Sequence, residues 1–484
     1  MSKALITHSY FYPLDSKQWK FKQPYPPLGT LLAAAVVREA GLQVSVWDSN
    51  LEEGPARFFP VLKSEKPDYV ILYDDGFNYL TKMCLTTMRE AAFRMMEEAR
   101  KQGSIVIVNS SDAADHYEKY FERGAHYVIK GEGEDTLKEL LQALETNKSV
   151  SLINGIIYRK EEQLVIHPSR QVMRDLDSLP LPAWELIDIA PYQKIWKEHH
   201  GYFSMNIATT RGCPFKCNWC AKPIYGNRYN SRSPENVVNE IELLINRYQP
   251  DHFWMCDDIF GLKPGWIQKF NTLLSEKKRK IRYKIQSRVD LLLKEDTIEA
   301  LAQSGADTVW VGAESGSQKI LDAMDKETTV QEIYKASALL RAYGIKVAFF
   351  LQFGYSGETM KDIQSTLRMV LKLMPDEIGI SVSYPLPGTV FYERVKNQLD
   401  QKQNWKDSDD LAMMFEGTYG SYFYKTLHRY VHNRYRIRRG WLAIIQWVKR
   451  PAEIPFRSIS SMLYNVPLSI LHRLELKRLE ILHD

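Results

Sequence analysis
Five cysteines in 484 residues are too few, and too uneven in number, for a disulfide-stapled scaffold. No run of about 18 apolar residues occurs, which argues against a membrane-spanning helix. The opening MSKALITHSY has neither an apolar h-region nor a small-residue cleavage site, so a cytoplasmic, reducing compartment is expected. A formal net charge of +5 is small for this length and gives no reason to expect nucleic acid as a partner. There is no short-period repeat and no low-complexity tract. What is present is ordinary: 44% hydrophobic and 25% charged residues, in a chain long enough for two or three domains.

Up to about residue 150, apolar bursts (KALIT, VSVW, YVILY, IVIV, YVI) alternate with helical patterns such as LGTLLAAAVVREAG and MREAAFRMMEEARKQG. Gly41 and Gly103 stand where helix C-caps belong. This alternation predicts an α/β domain, a flavodoxin-like doubly wound parallel sheet, over residues 1–150. Residues 151–198, with the proline-bearing DLDSLPLPAWELID, read as a linker. Over 199–395 a second alternation begins: FSMNIATT, HFWMCDD, YKIQS, TVWVGAES, KVAFFLQFG and EIGISVSYPL. Between the first two strands lies SPENVVNEIELLINRY, with Ser233 as N-cap and Pro234 at N1. Six βα units predict a partial (β/α)6 barrel with its chemistry at the carboxyl ends of the strands. Residues 396–484 read as a helical C-terminal region.

Three of the five cysteines, Cys213, Cys217 and Cys220, fall within TTRGCPFKCNWC, directly after the first strand of the second alternation. A closed structural zinc site needs four ligands, and this loop offers no fourth Cys or His. Iron–sulfur clusters also take thiolates, normally four. Three thiolates on a four-iron cluster leave one iron open to a substrate. An incidental cluster of thiols or a zinc loop is the plain alternative. Cys84 and Cys256 read as buried thiols.

The spacing C-x3-C-x2-C at this place resembles the radical S-adenosylmethionine (SAM) enzymes, and Trp219 stands where that family has an aromatic before its last cysteine. The resemblance implies a [4Fe–4S] cluster on Cys213, Cys217 and Cys220, with SAM chelated by the open iron and cleaved reductively. It places Asp257 and Asp258 near the SAM amino group, Arg288 near its carboxylate, and Glu314 and Ser315 near the ribose and methionine. It places Tyr384 and Pro385 near the adenine, and FGYSGET, with Glu358, at the end of strand five. Asp257, Arg288 and Glu314 are equally able to form structural ion pairs.

Residues 1 to 395 resemble the class of radical SAM enzymes that carries a cobalamin-binding domain ahead of the barrel, through YPPLGTLLAAAVVREAG, YVIKGEGEDT and LDSLPLPAWELID. The resemblance assigns Gly131, Glu132 and Gly133 to the corrin, though a Gly-containing turn before a helix is also a plain capped turn. Two features depart from the pattern. There is no D-x-H-x-x-G, since His8 has no Asp two residues before it. VNSSDAADH, with Asn109, Ser110, Ser111 and Asp112, replaces a Gly-Gly-x-His-like turn.

The implied function is hydrogen abstraction from an unactivated carbon with cobalamin-dependent methyl transfer. A radical cyclase, oxidase or rearrangement enzyme of the Mg-protoporphyrin ester cyclase type is the alternative, and a non-catalytic cluster or corrin sensor a third reading. The resemblance implies the cofactors [4Fe–4S], SAM and cobalamin, and a flavodoxin or ferredoxin as reductant. No catalytic acid or base is assigned. Residues 421–450 are basic, aromatic and free of acids. They fit either a solvated helix with its aromatics on the barrel or a peripheral membrane contact. Tyr422, Tyr424 and Trp441 hint at a large, partly apolar substrate.

Overall fold
The computed structural model describes every residue except 79–80, 82–84, 223, 295, 400–403, 407–410, 450–454 and 482–484. Cys84 therefore lies outside the described residues. By packing, residues 1–215, 222–285 and 404–410 form one compact unit, and 216–221, 286–403 and 411–484 form another.

The first sheet has strands β1 (Lys3–Thr7), β2 (Gln43–Val46), β3 (Tyr69–Tyr73), β4 (Ile105–Asn109), β5 (Tyr127–Ile129), β6 (Ile156–Lys160) and β7 (Gln163–Ile166). Their order is β2-β1-β3-β4-β5-β6-β7. The first five are parallel, in the flavodoxin-like order expected of a doubly wound domain. The helix Leu28–Glu39 buries ten of its residues, because small Ala33, Ala34 and Ala35 let it lie close to the sheet. It ends at Ala40, and Gly41 follows at φ 92°, a conformation that glycine takes without strain.

The hairpin β6–β7 lies within the stretch expected to be a linker. β6 joins the parallel sheet antiparallel to β5 and so covers its edge. Only Ile156 and Ile157 of β6 are buried, while Arg159, Lys160 and Gln163 are exposed, so the apolar signal was too short to read as a strand.

Strands β8 (Ser204–Ile207), β11 (His252–Met255), β12 (Tyr283–Ser287), β13 (Ala306–Glu314), β14 (Lys346–Phe353) and β15 (Glu377–Val382) form a second, six-stranded sheet in chain order. Between β8 and β11 lies a two-residue antiparallel pair, β9 (Thr210–Arg211) with β10 (Asn230–Ser231). The described pairings within the six are parallel, as six βα units of a partial barrel require. The helix after β8, Pro234–Tyr248, starts on Ser233, whose hydroxyl accepts from the Asn236 N–H at 3.1 Å. The boundary between the compact units passes through β12 and through the cysteine loop. β8 packs in the same compact unit as the N-terminal residues, where Asn206 donates to the Pro26 carbonyl and the Trp196 indole to that of Pro24.

Two long helices, Ser421–Lys449 and Phe456–Ile481, close the chain and pack on each other. Phe423, Tyr424 and Tyr435 are buried on the inner face of the first. Among the described residues no helix is long and apolar enough to cross a membrane.

Candidate active site around the cysteine loop
In the first unit the loop is rooted at the end of β8. Asp257, fully buried just beyond β11, accepts the Thr209 N–H at 2.6 Å, the Thr210 N–H at 2.7 Å and the Thr209 hydroxyl at 2.6 Å. Burial pushes its carboxyl up to about 6 against those donors. Asp257 thus fixes the backbone that leads into the cysteines, while its neighbour Asp258 is half-buried.

Arg211, two residues before Cys213, is buried between two carboxylates. Its guanidinium bonds Glu132, and also Glu134 at 2.7 Å, and it stacks over Tyr225 and Phe77. Glu132 takes the Met173 N–H as well. The GEGE turn therefore spends its acids on Arg211. Gly133 is required by its own neighbours, since a Cβ there would come 2.8 Å from the Tyr73 hydroxyl and 2.9 Å from Asn109 Nδ2. Gly131, at φ 74°, gives the left-handed turn its carbonyl accepts Asn109 from. Asn109 also donates to the Ile129 carbonyl, so its side chain folds back onto the sheet rather than projecting from it.

In the second unit the hub of the loop is Asn218, a residue not singled out by motif. Its Nδ2 donates to the Ala323 carbonyl at 2.8 Å and to Asp325 at 2.7 Å. Its Oδ1 accepts the Tyr355 hydroxyl at 2.7 Å, and its backbone bonds Met324 and Phe391. Trp219 packs against the apolar cluster of Ile320, Met324, Tyr355 and Phe391.

Arg288 lies 3.6 Å from Cys217 Sγ through Nη1, bonds the Lys326 carbonyl at 2.8 Å, and pairs with Asp290 at 2.9 Å. Lys326, also missed in the sequence, bonds buried Glu314 at 2.9 Å. Burial opposes its charge, but Glu314 and Cys217 raise its pKa. Glu314 sits at φ 53° on a β-bulge, a conformation costly for a residue with a Cβ. Ser315 is fully buried and bonded to Thr366, at 3.1 Å. Tyr384 is half-buried and Pro385 buried beyond β15. The ion pairs left open by the sequence are thus Arg288–Asp290 and Glu314–Lys326, whereas Asp257 holds backbone.

Cys213, Cys217 and Cys220 are all half-buried. Among the described residues no group of three or more Cys, His, Asp or Glu side chains is gathered as a preformed metal site. The donor set itself, three soft thiolates on a short loop with a guanidinium beside one sulfur, fits an iron–sulfur cluster. At the ends of the first sheet's strands, Asp74 takes Ser9, Asp75 takes Gly29 and Phe77, and Asp112 takes Arg89 and Tyr120.

Glu358, fully buried after β14, accepts the Gly354 N–H at 2.7 Å through one oxygen, and its other oxygen is without a hydrogen bond. Burial, with Asp362 adding to it, pushes its carboxyl up to about 8, against the pull of Lys319 and the Gly354 N–H. Its folded pKa thus lies above the unfolded value. The stabilisation is complete below the unfolded pKa and is lost as pH rises through about 8. Glu358→Gln is expected to flatten the fall in melting temperature between about pH 5 and about pH 9. Parallel pH profiles for parent and variant would show that the carboxyl is not held neutral.

Residues 207–370 match the family model described as the Radical SAM superfamily. An uncharacterised methyltransferase of Pyrococcus horikoshii is 28% identical over 281 residues, 58% of this chain and 60% of that protein. The anaerobic magnesium-protoporphyrin IX monomethyl ester cyclase of Cereibacter sphaeroides is 26% identical over 283 residues, 56% of this chain and 45% of that one. The matches thus span about half to three-fifths of these relatives. Among solved structures, the cobalamin-dependent SAM radical enzyme OxsB with aqua-cobalamin superposes with a TM-score of 0.73, at 18% identity, over 99% of this chain and 72% of that one. The radical SAM methyltransferase TsrM of Kitasatospora setae, with cobalamin and a [4Fe–4S] cluster, gives 0.68, at 18% identity, over 82% and 78%. At such identity the likeness is one of fold.

Proposed function
We propose that this chain, a radical SAM enzyme through its domain at residues 207–370, abstracts hydrogen from an unactivated carbon of its substrate and transfers a methyl group to it. The observation that carries the reading is the three-thiol loop at the end of β8, tied down through Asn218. Cys213, Cys217 and Cys220 would hold a [4Fe–4S] cluster, which when bound supplies the electron that cleaves SAM. The chain's own part is positional. Asp257 holds the root of the loop, Asn218 its centre, and the Arg288 guanidinium stands beside the Cys217 sulfur. Asp258, Glu314, Tyr384 and Pro385, near the ends of β11, β13 and β15, are proposed to face SAM, with Arg288 and Glu314 already steered by Asp290 and Lys326. Methyl transfer is supported by the methyltransferase-named relative, and a corrin by the fold shared with OxsB and TsrM. Gly131, Glu132 and Gly133 would act on the corrin side by holding the turn. An external flavodoxin or ferredoxin is the proposed reductant.

The cyclase relative favours a second reading, in which the radical step closes a ring or oxidises carbon without methyl transfer. The substrate hint from aromatic residues loses its support. Tyr422 and Trp441 are exposed, with Tyr422 bonded to Glu475 on the neighbouring helix, and Tyr424 is buried beside Gly354.

The deciding experiment uses anaerobically reconstituted protein with dithionite and methyl-labelled SAM, with and without hydroxocobalamin. 5′-Deoxyadenosine together with label on the corrin is the expected result. Deoxyadenosine without corrin binding would favour the second reading. Absence of SAM cleavage, in the presence of an assembled cluster and a panel of candidate substrates, would overturn both.

A further inference from the structure
The helix Phe456–Ile481 is amphipathic in the wrong sense for a soluble surface. The face packed on Ser421–Lys449 includes polar Asn465 and Ser469 beside Met462 and Leu476. That contact is close: a Cβ on Gly440 of the first helix would fall 2.4 Å from the Met462 Cβ. The opposite face carries Phe456, Leu463, Ile470, Leu474 and Ile481, each more than half exposed. Their spacing of 7, 7, 4 and 7 residues aligns them in one stripe about 37 Å long. Tyr464 and Leu471 widen it, and Trp441, Ile445 and Val448 extend exposed apolar surface onto the other helix. A soluble chain does not ordinarily leave so long an apolar stripe in water.

The flanks of the stripe are basic. Lys477 and Arg478 fall on either side of it by helical periodicity, and Arg436, Arg438 and Arg439 are exposed on the first helix. Residues 421–481 hold twelve Lys or Arg against three Asp or Glu, in a chain whose net charge is +5, so the remainder is net negative. Two copies of so basic a hairpin repel each other, whereas an anionic bilayer attracts it. We infer that this helical pair lies on an anionic lipid surface, with the stripe of Phe456–Ile481 entering the headgroup boundary and Lys477 and Arg478 meeting phosphates. The inference does not depend on the radical chemistry.

Co-sedimentation of the full chain with phosphatidylcholine vesicles, alone or with phosphatidylglycerol, tests it. Binding is expected with phosphatidylglycerol, weakening as salt rises. Leu463→Ser/Ile470→Ser/Leu474→Ser is expected to reduce partitioning about tenfold or more. These positions are exposed, so circular dichroism should be unchanged. Lys477→Glu/Arg478→Glu, which leaves the stripe intact, is expected to abolish the preference for phosphatidylglycerol. Absence of binding to the anionic vesicles would overturn the inference, as would parental binding by the triple Ser variant. A dimer in sedimentation equilibrium that the triple Ser variant dissociates would also overturn it, assigning the stripe to a second copy.

Discussion

Cys217→Ala is expected to remove both the thiolate-to-iron absorption of the reconstituted protein and all reductive cleavage of SAM. The effect should be total because three thiolates are the whole protein ligand set of the proposed cluster, and alanine offers no donor. The fold should survive, since Cys217 is half-buried and its neighbour Asn218 keeps its bonds to Ala323, Asp325 and Tyr355. Near-parental melting with no absorbance would place the effect on the metal. Asn218→Ala is the informative companion, because it leaves every thiol in place and removes the hub. Buried partners left unsatisfied cost about 1–3 kcal/mol each, so a loop that binds iron but loses it readily is expected. SAM cleavage by Cys217→Ala at the parental rate would mean that the loop does not hold the cluster.

The contrast between those two residues shows what was legible in the chain. The cysteines announce themselves by spacing, and the βα alternation by its apolar bursts, so the two parallel sheets and the caps at Gly41, Gly103 and Ser233 could be read directly. Asn218 could not, because its partners Asp325 and Tyr355 lie more than 100 residues away and only the folded chain brings them together. Lys326 escaped for the same reason. MDKETT carries no metal-ligand or phosphate pattern, and only a buried Glu314 beside it gives the amine a role. The helical C-terminus was legible as helix, but which face of Phe456–Ile481 is left unpacked depends on its partner helix, and composition does not reveal that. The β6–β7 hairpin was hidden by its charged, solvent-facing half.

Arg211→Met is expected to destabilise the protein by about 3–5 kcal/mol, the usual result of breaking a buried ion pair from one side. Glu132 and Glu134 would be left buried without their cation, and one Glu134 oxygen already has no hydrogen-bond partner. Such carboxyls escape their cost by taking up protons, so their folded pKa values would lie above the unfolded ones. The variant should therefore be closest to the parent at low pH and fall further behind as pH rises. Arg211→Met/Glu132→Gln/Glu134→Gln removes the charges together and should recover part of the loss, because a neutral buried set costs less than an uncompensated one. Urea midpoints across pH for the three proteins separate this from simple loss of packing against Phe77 and Tyr225, which would be independent of pH. Arg211→Lys should be intermediate, since an ammonium cannot bond both acids in the guanidinium's fork. Because Arg211 stands two residues before Cys213, the triad also anchors the cysteine loop's entry to the turn after β5. If Arg211→Met instead melted like the parent at every pH, the acids of GEGE would not depend on Arg211, and that turn would be free for the corrin role the sequence first suggested.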